Sequence, residues 1–408
     1  MNNQYPTFIP TDEACRILDI KPATLYSYVS RGLIEKEKRG RKKTRYLTAD
    51  ILRLKRKSEA RSGHGPVAAE AMNWGQPVIQ TSVSCIQDGM LTYRGVSPLE
   101  IVKEERSFEF ASELLWTGKQ PETDPQWSAD SISTFLPCEF LPDDVPFPTT
   151  VAMLLPYVAA RDPDRHLRSQ EAELGRARHL IQMIAASVAL PESPSLVRES
   201  IQQQSVSRIL EKALGLPEQK VHRAIDTALI LCAEHELNAS TFAARIAAST
   251  GADLYSGLSS AIGAYSGPKH GQAVVRILAL LGEINQHGNA SDVAKAHLER
   301  GELIPGFGHK LYANGDPRFQ PIMEAALSVN PESDDLAHLC NLVEFMDQAS
   351  DFKPSMDMGL AMLVSAMELS KKKATSLFLI GRLAGWVAHI LEQRKRLGIL
   401  RPRAEYNE

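Results

Sequence analysis

ASTFAARIAASTGADLYSGLSSAIGAYSG, residues 239–267, decides the fold class of this chain. Ala, Gly and Ser recur through it at helical spacing, which lets helix axes approach closely. Arg245 and Asp253 within the stretch exclude a membrane span, so these helices form a packed core or a subunit interface. Working outward, residues 205–264 are a long run of small and apolar residues, and nearly every segment beyond residue 95 has a helical pattern. The exceptions are a strand-like PVIQTSVSCI (77–86), a turn at Gln87 to Gly89, LTYRG (91–95), and an irregular Pro-, Asp- and Ser-rich connection over 121–148. The expected fold is mainly α.

With 408 residues, 43% of them hydrophobic, the chain can cover a sizeable core in two or three domains. No stretch approaches about 18 uninterrupted apolar residues, and residues 1–10 lack a basic patch followed by an apolar run. Neither export nor membrane insertion is expected. Cys15, Cys85, Cys138, Cys232 and Cys340 lie far apart in no metal-ligand spacing, which fits free thiols in a reducing cytoplasm.

Charge is uneven. Residues 1–63 hold 15 Lys and Arg against 7 Asp and Glu, a net of +8, while the remainder holds 31 against 42. A basic head on an acidic body suggests a polyanion-facing module. Thr11 opens a short helix, TDEACRILDI, with acids in its first turn; Ile20 and Lys21 break it, and Pro22 starts a second, PATLYSYVSRGL, ended by Gly32. Ile34 and Tyr46-Leu47 flank a hairpin with a basic tip around Gly40, and Thr48 caps a third helix.

Residues 7–60 resemble the helix-turn-helix of MerR-type regulators and excisionases, a winged helix occupying 1–62. In such folds the second helix enters the major groove and basic residues contact phosphates. DNA is therefore an expected partner, with Thr24, Tyr26, Ser27, Arg31, Arg39, Arg41, Lys42 and Lys43 as contact candidates. The duller alternative is a solvated basic face on a module for protein contacts.

Beyond the polar junction RSGHGP (61–66), four segments combine polar residues with turn-forming glycines: HELNASTFAAR from His235, GPKHGQA around His270, IPGFGHKLYANGDPR from Ile304, and KPSMDMG around Asp357. Glycines beside His270 and His309 interrupt helix and let an imidazole project into a cleft. Arg318, Arg382 and Arg401 can hold carboxylates in bidentate fashion, and together these groups imply a small polyanionic substrate. Asp357 sits among Met356, Met358, Leu360 and Met362, so its pKa should rise, as a base for a weakly acidic proton requires.

These segments, followed by GRLAGWVAHILEQ and RPR, resemble citrate synthase motifs in that family's order; LTYRGVSPLEIVKEERSFEFASELLWTGKQP (91–121) is similar too. The resemblance covers residues 66–408. It implies a large helical domain of 66–271 plus 375–408 and a small one of 272–374. It also implies Asp357 as the base toward acetyl-CoA, His270 as the group stabilising the enol or enolate, and His309 as the donor to the oxaloacetate carbonyl. His235, Arg318 and Arg382 would hold the substrate, Arg401 would reach a neighbouring subunit's site in a homodimer, and no metal cofactor is implied. Lys269, Lys310 and the run from Lys371 are candidates for the anionic CoA.

Gln272, Ala273 and Val274 depart from the Gly-Ala-Asn that follows GPKHG in many relatives. Two alternatives stand beside citrate formation: a 2-methylcitrate synthase using propionyl-CoA, and a non-catalytic DNA-binding regulator with a metabolite-sensing body. One methylene is worth only about 1–3 kcal/mol in a pocket, so the acyl chain is not decided by these residues.

Overall fold

The structure, a computed structural model, describes residues 8–18, 20–30, 33–39, 43–48, 50, 51, 54, 79–128, 144–190, 192–217, 221–312 and 314–402. The chain divides into two compact units, Met1–Gln80 with Pro402–Glu408, and Thr81–Arg401.

In the N-terminal unit, helix Thr11–Leu18 has Asp12 and Glu13 in its first turn, where they complement the positive helix end. Helix Pro22–Ser30 follows, with proline in the position that needs no N–H. The hairpin forms from Lys36–Arg39 and Lys43–Leu47, paired antiparallel from Lys36 opposite Tyr46 to Arg39 opposite Lys43. A third strand, Phe8–Pro10, pairs with Lys43–Leu47 on its other side. Three residues are too few to show alternation, so the sequence pattern did not reveal it. Ile9, Ala14, Leu18, Leu25, Ile34, Tyr46 and Ile51 form the small core. Of the helix expected after Thr48, residues 48, 50, 51 and 54 are described, all helical. Thr24 and Tyr26 are exposed and Ser27 half-buried, whereas Arg31, Arg41 and Lys42, and the side chains of Arg39 and Lys43, lie outside the described residues.

Strands Ser84–Gln87 and Met90–Tyr93 open the second unit. Asp88 and Gly89 join them at φ 52° and 75°, the left-handed pair a tight two-residue hairpin needs. Cys85 and Ile86 were expected in this strand; Gln87 belongs to it as well rather than to the turn.

Helices dominate the remainder. The 239–267 stretch folds into Ala239–Ser249 and Leu254–Tyr265, capped by Asn238 and Asp253. Ser260 Oγ donates across the pair to the Ala243 carbonyl at 3.0 Å, a crossing that only small side chains permit. The long helix Ser376–Arg394 lies buried against His222–Cys232, Ala239–Ser249 and Phe108–Thr117. A Cβ on Gly381 would fall 2.7 Å from the Leu229 carbonyl oxygen, so glycine is what allows the helix to seat there. Helices Ala273–His287, Ala290–Glu299, Phe319–Val329, Asp334–Ala349 and Met356–Ala366 pack on one another as a second cluster. Among the described residues no helix is long and apolar enough to cross a membrane.

Candidate functional site

Gly306 and Gly308, at φ 91° and 78°, turn the 304–312 segment back on the chain in a conformation other residues resist. Gly308 N–H then donates to the Lys353 carbonyl at 2.8 Å, and Ser355 N–H to the Gly306 carbonyl at 2.8 Å. This pairing brings the His309 loop to the start of helix Met356–Ala366, whose first turn carries Asp357. Asp316 completes the junction. Its Oδ1 accepts from Arg318 Nε at 2.9 Å, its Oδ2 from Arg318 Nη2 at 2.7 Å, and Oδ2 also from the Met356 backbone N–H at 3.2 Å. One buried carboxylate therefore fixes both Arg318 and the helix end beneath Asp357. The third guanidinium nitrogen, Arg318 Nη1, is buried with no hydrogen-bond partner among the described residues.

His235 lies against the same loop, its Nε2 2.9 Å from Tyr312 Oη and its ring centroid 5.3 Å from that of His309. Leu311 N–H donates to His309 Nδ1 at 3.1 Å, so the neutral ring carries its proton on Nε2. Arg382 enters from helix Ser376–Arg394, where Nε donates to the Cys232 carbonyl at 2.7 Å and the guanidinium lies over Phe378 at 4.8 Å. Cys232 Sγ is in turn 4.0 Å from Met356 Sδ, the neighbour of Asp357.

His270 is tied to this group through Ser240. Its Nε2 is 2.8 Å from Ser240 Oγ, which accepts from Trp386 Nε1, one turn beyond Arg382, at 3.1 Å; an Oγ–H directed at Nε2 leaves the neutral ring its proton on Nδ1. The ring packs edge-on to Tyr265 at 5.8 Å. Gly271 is required by the same contact, since its N–H donates to the Tyr265 carbonyl at 3.0 Å and a Cβ would strike that oxygen.

Burial and positive charge set the protonation states. Desolvation pushes His270 down to about 4, with Arg382 adding to the effect. Burial also lowers His309, and it lowers His235 well below its usual value with the help of Arg318, Arg382 and His309. All three imidazoles are thus neutral near pH 7. Asp357 moves the other way, raised chiefly by burial although Arg318 and Arg382 oppose the rise. The site offers neutral hydrogen-bond donors, one carboxyl poised above its ordinary range, and two buried guanidiniums.

The i,i+3 spacing of His235 and Asn238 fits a helix, but His235 precedes the helix whose N-cap is Asn238, whose Oδ1 accepts from Thr241 N–H at 3.0 Å. Lys269, Lys310 and Lys371 are exposed, while Lys372 and Lys373 pair with Asp144 and Glu192, each at 2.8 Å. Arg401 is exposed and follows Leu400, whose N–H donates to Ser249 Oγ. Ser249 ends the helix that begins beside Ser240, about 15 Å away at 1.5 Å per residue, so Arg401 stands apart from the cluster. A cavity of about 590 Å³ bordered by Gly315, Asp316, Phe319, Met323, Cys340 and Lys353 lies beside this cluster, and none of the three histidines lines it.

A family model described as Citrate synthase, C-terminal domain matches residues 71–403. The chain belongs to the citrate synthase family. A second model, a helix-turn-helix domain, matches residues 11–58. Citrate synthase 2 of Bacillus subtilis is 30% identical over 344 residues, covering 80% of this chain and 92% of that protein. The 2-methylcitrate synthase of Mycobacterium tuberculosis is 31% identical over 354 residues, covering 81% and 88%. The crystal structure of citrate synthase from Thermotoga maritima matches with a TM-score of 0.68 at 26% identity, covering 81% of this chain and 94% of that one.

Within this citrate synthase framework, Tyr312, Asp316 and Ser240 join the candidate site without having stood out in the sequence. Asp316 had a signal in the GDPR spacing, two residues before an arginine that burial would strand without a counter-charge. Tyr312 and Ser240 had none, because their contacts join segments 77 and 30 residues apart.

Proposed function

We propose that the Thr81–Arg401 unit is a citrate synthase-type acyltransferase condensing acetyl-CoA with oxaloacetate, with Asp357, His270 and His309 as its catalytic residues. Asp357 takes a proton from the acetyl methyl group, and His270 hydrogen-bonds the thioester oxygen on which enolate charge develops. The resulting nucleophilic carbon attacks the ketone of oxaloacetate, polarised by the Nε2–H of neutral His309. Arg318, through Nη1, and Arg382 hold the substrate carboxylates, while His235, oriented by Tyr312, completes the wall. Water then hydrolyses the citryl thioester to citrate and free CoA. The observation that carries this reading is the buried Arg318 Nη1, without a hydrogen-bond partner among the described residues, in a guanidinium 5.5 Å over the Tyr312 ring of the His309 loop.

The domain reading that accompanies it assigns 66–271 with 375–408 to a large domain and 272–374 to a small one. CoA phosphates are assigned to exposed Lys269, Lys310 and Lys371. Arg401 acts from a neighbouring subunit, so the active assembly is a homodimer working in the cytoplasm; full activity in a species of 45.0 kDa would overturn that.

The test is free-thiol release by the purified protein with oxaloacetate and either acetyl-CoA or propionyl-CoA. Acetyl-CoA should give the higher kcat/KM, and His270→Ala should lower kcat at least about a hundredfold. Faster turnover of propionyl-CoA would replace the assignment with 2-methylcitrate synthesis, the activity named for one relative; no turnover of either would favour the regulator.

The N-terminal unit is assigned to DNA. Tyr26, 55% exposed on helix Pro22–Ser30, with Arg31, Arg39, Arg41, Lys42 and Lys43, supplies the contacts. Duplex binding in a mobility-shift titration should weaken steeply as salt rises. Absence of any shift at low ionic strength would assign the module to protein contacts instead.

A further inference from the structure

Beneath Arg382 lies a chain of buried polar groups that the mechanism above does not use. Arg245, wholly buried, donates from Nη1 to His389 Nδ1 at 2.9 Å, from Nε to Gln393 Oε1 at 3.0 Å, and from Nη1 to Glu392 Oε2 at 2.5 Å. Because a guanidinium can only donate, His389 Nδ1 must accept, and the ring proton sits on Nε2. That Nε2–H donates to Glu234 Oε1 at 3.0 Å, which also receives Ser84 Oγ–H at 3.0 Å. Donation therefore runs one way, from Arg245 through His389, and ends on the carboxylate of Glu234. Both Glu234 and His389 are 0% exposed.

The other oxygen, Glu234 Oε2, is buried with no hydrogen-bond partner among the described residues. It packs on the backbone of Gly385, where a Cβ would collide with it, and Gly385 N–H donates to the Ala233 carbonyl at 3.0 Å. Leaving half a carboxylate unsatisfied in the core is costly, so its charge must interact favourably with something. Of the two guanidiniums in the site, Arg382 is the one whose helix Glu234 Oε2 touches, at Gly385. It is buried, its helix is held to 233 through Gly385, and Glu234 is the main group opposing the fall in its pKa that burial causes. Arg318 has Asp316 in direct contact; Arg382 has no carboxylate within ion-pair distance among the described residues.

We propose that Glu234 is a positioning residue, held by the Arg245–His389 chain as the fixed counter-charge of Arg382, and that it keeps this guanidinium charged and aimed before a dianionic substrate arrives. The same carboxylate anchors the 232–235 backbone, whose Cys232 carbonyl holds Arg382 Nε and which presents His235. The idea rests on the reading that Arg382 binds oxaloacetate.

The experiment compares Glu234→Gln, Glu234→Asp and Arg382→Lys in the full-length protein, measuring kcat, KM for each substrate and the thermal midpoint without ligand. Glu234→Gln should raise KM for oxaloacetate about tenfold and leave KM for acetyl-CoA within about twofold. Glu234→Asp, which restores the charge on a shorter side chain, should recover about threefold of that loss and leave KM about threefold above the parent, whatever its midpoint. A purely structural role would lower the midpoint of both variants without this order in KM, and that result overturns the proposal. Should Glu234→Gln fail to fold, Glu234→Asp alone decides: an unchanged KM for oxaloacetate overturns it, and a rise of about threefold with an unchanged KM for acetyl-CoA supports it. Arg382→Lys separates the two layers of the argument, because an unchanged oxaloacetate KM there removes Arg382 from the substrate and leaves Glu234 with nothing to position.

Discussion

Asp357→Asn is expected to lower kcat for thiol release at least about a hundredfold, the usual worth of a positioned base, while KM for oxaloacetate stays within about twofold. Asparagine keeps the shape of the side chain and its place in the first turn of Met356–Ala366 but cannot accept the methyl proton. The pH dependence of the unmodified enzyme should identify the same group. Burial raises the Asp357 pKa, and only the ionised form is a base, so kcat/KM should fall with falling pH at a value above the ordinary carboxylate range of about 3.9. Stability should run the other way. A raised folded-state pKa means the native protein binds this proton more tightly than the unfolded chain does; the associated stability is fully present below the unfolded pKa and is lost as pH rises through the folded one. At neutral pH the half-buried charge is therefore a net cost, and Asp357→Asn should be at least as stable thermally as the parent. A kcat within tenfold of the parent would remove Asp357 from the proton transfer.

That combination, an inactive but undiminished fold, is expected where a residue is kept for chemistry at the expense of stability, and it explains which parts of the site were legible in sequence. Asp357, His270 and His309 sit beside helix-breaking Pro and Gly, local conflicts that stand out in a helical chain. Their immediate surroundings were legible as well: the methionines around Asp357 predicted the direction of its pKa, and the Ala-, Gly- and Ser-rich 239–267 stretch predicted close helix packing. What did not show was the set of partners at long range. Ser240 joins His270 to Trp386, Tyr312 joins His235 to the His309 loop, and Glu234 reaches His389 across 155 residues. No periodicity encodes such pairings, since each depends on where two separate helices dock. His235 illustrates the same limit locally: i,i+3 spacing to Asn238 fits a helix and an N-cap turn equally well, and the Glu236 backbone at φ 54° selects the turn.

Arg318→Met should do more damage to the fold than to any single catalytic step. Asp316 is 5% exposed, and apart from the Met356 and Arg318 backbone N–H groups its hydrogen bonds come from the Arg318 guanidinium. Burial alone would raise its pKa, but the arginine reverses this and holds it below the usual value. Removing one member of a buried pair strands the other, at a cost of about 3–5 kcal/mol, a large part of a typical stability of about 5–15 kcal/mol. Calorimetry should record a fall of several degrees in the midpoint. Because the folded pKa of Asp316 is depressed, the pair's stability is present above the unfolded carboxylate pKa and lost as pH falls through the folded value; the variant should accordingly be less sensitive to acid than its parent. Asp316→Asn combined with Arg318→Met removes both charges and should recover most of the midpoint, yet KM for oxaloacetate should remain at least about tenfold above the parent, since Arg382 alone is left to meet the two substrate carboxylates. Recovery of stability and affinity together in the double variant would make Arg318 a structural ion-pair partner and nothing more, and the unpartnered Nη1 would then need a different explanation.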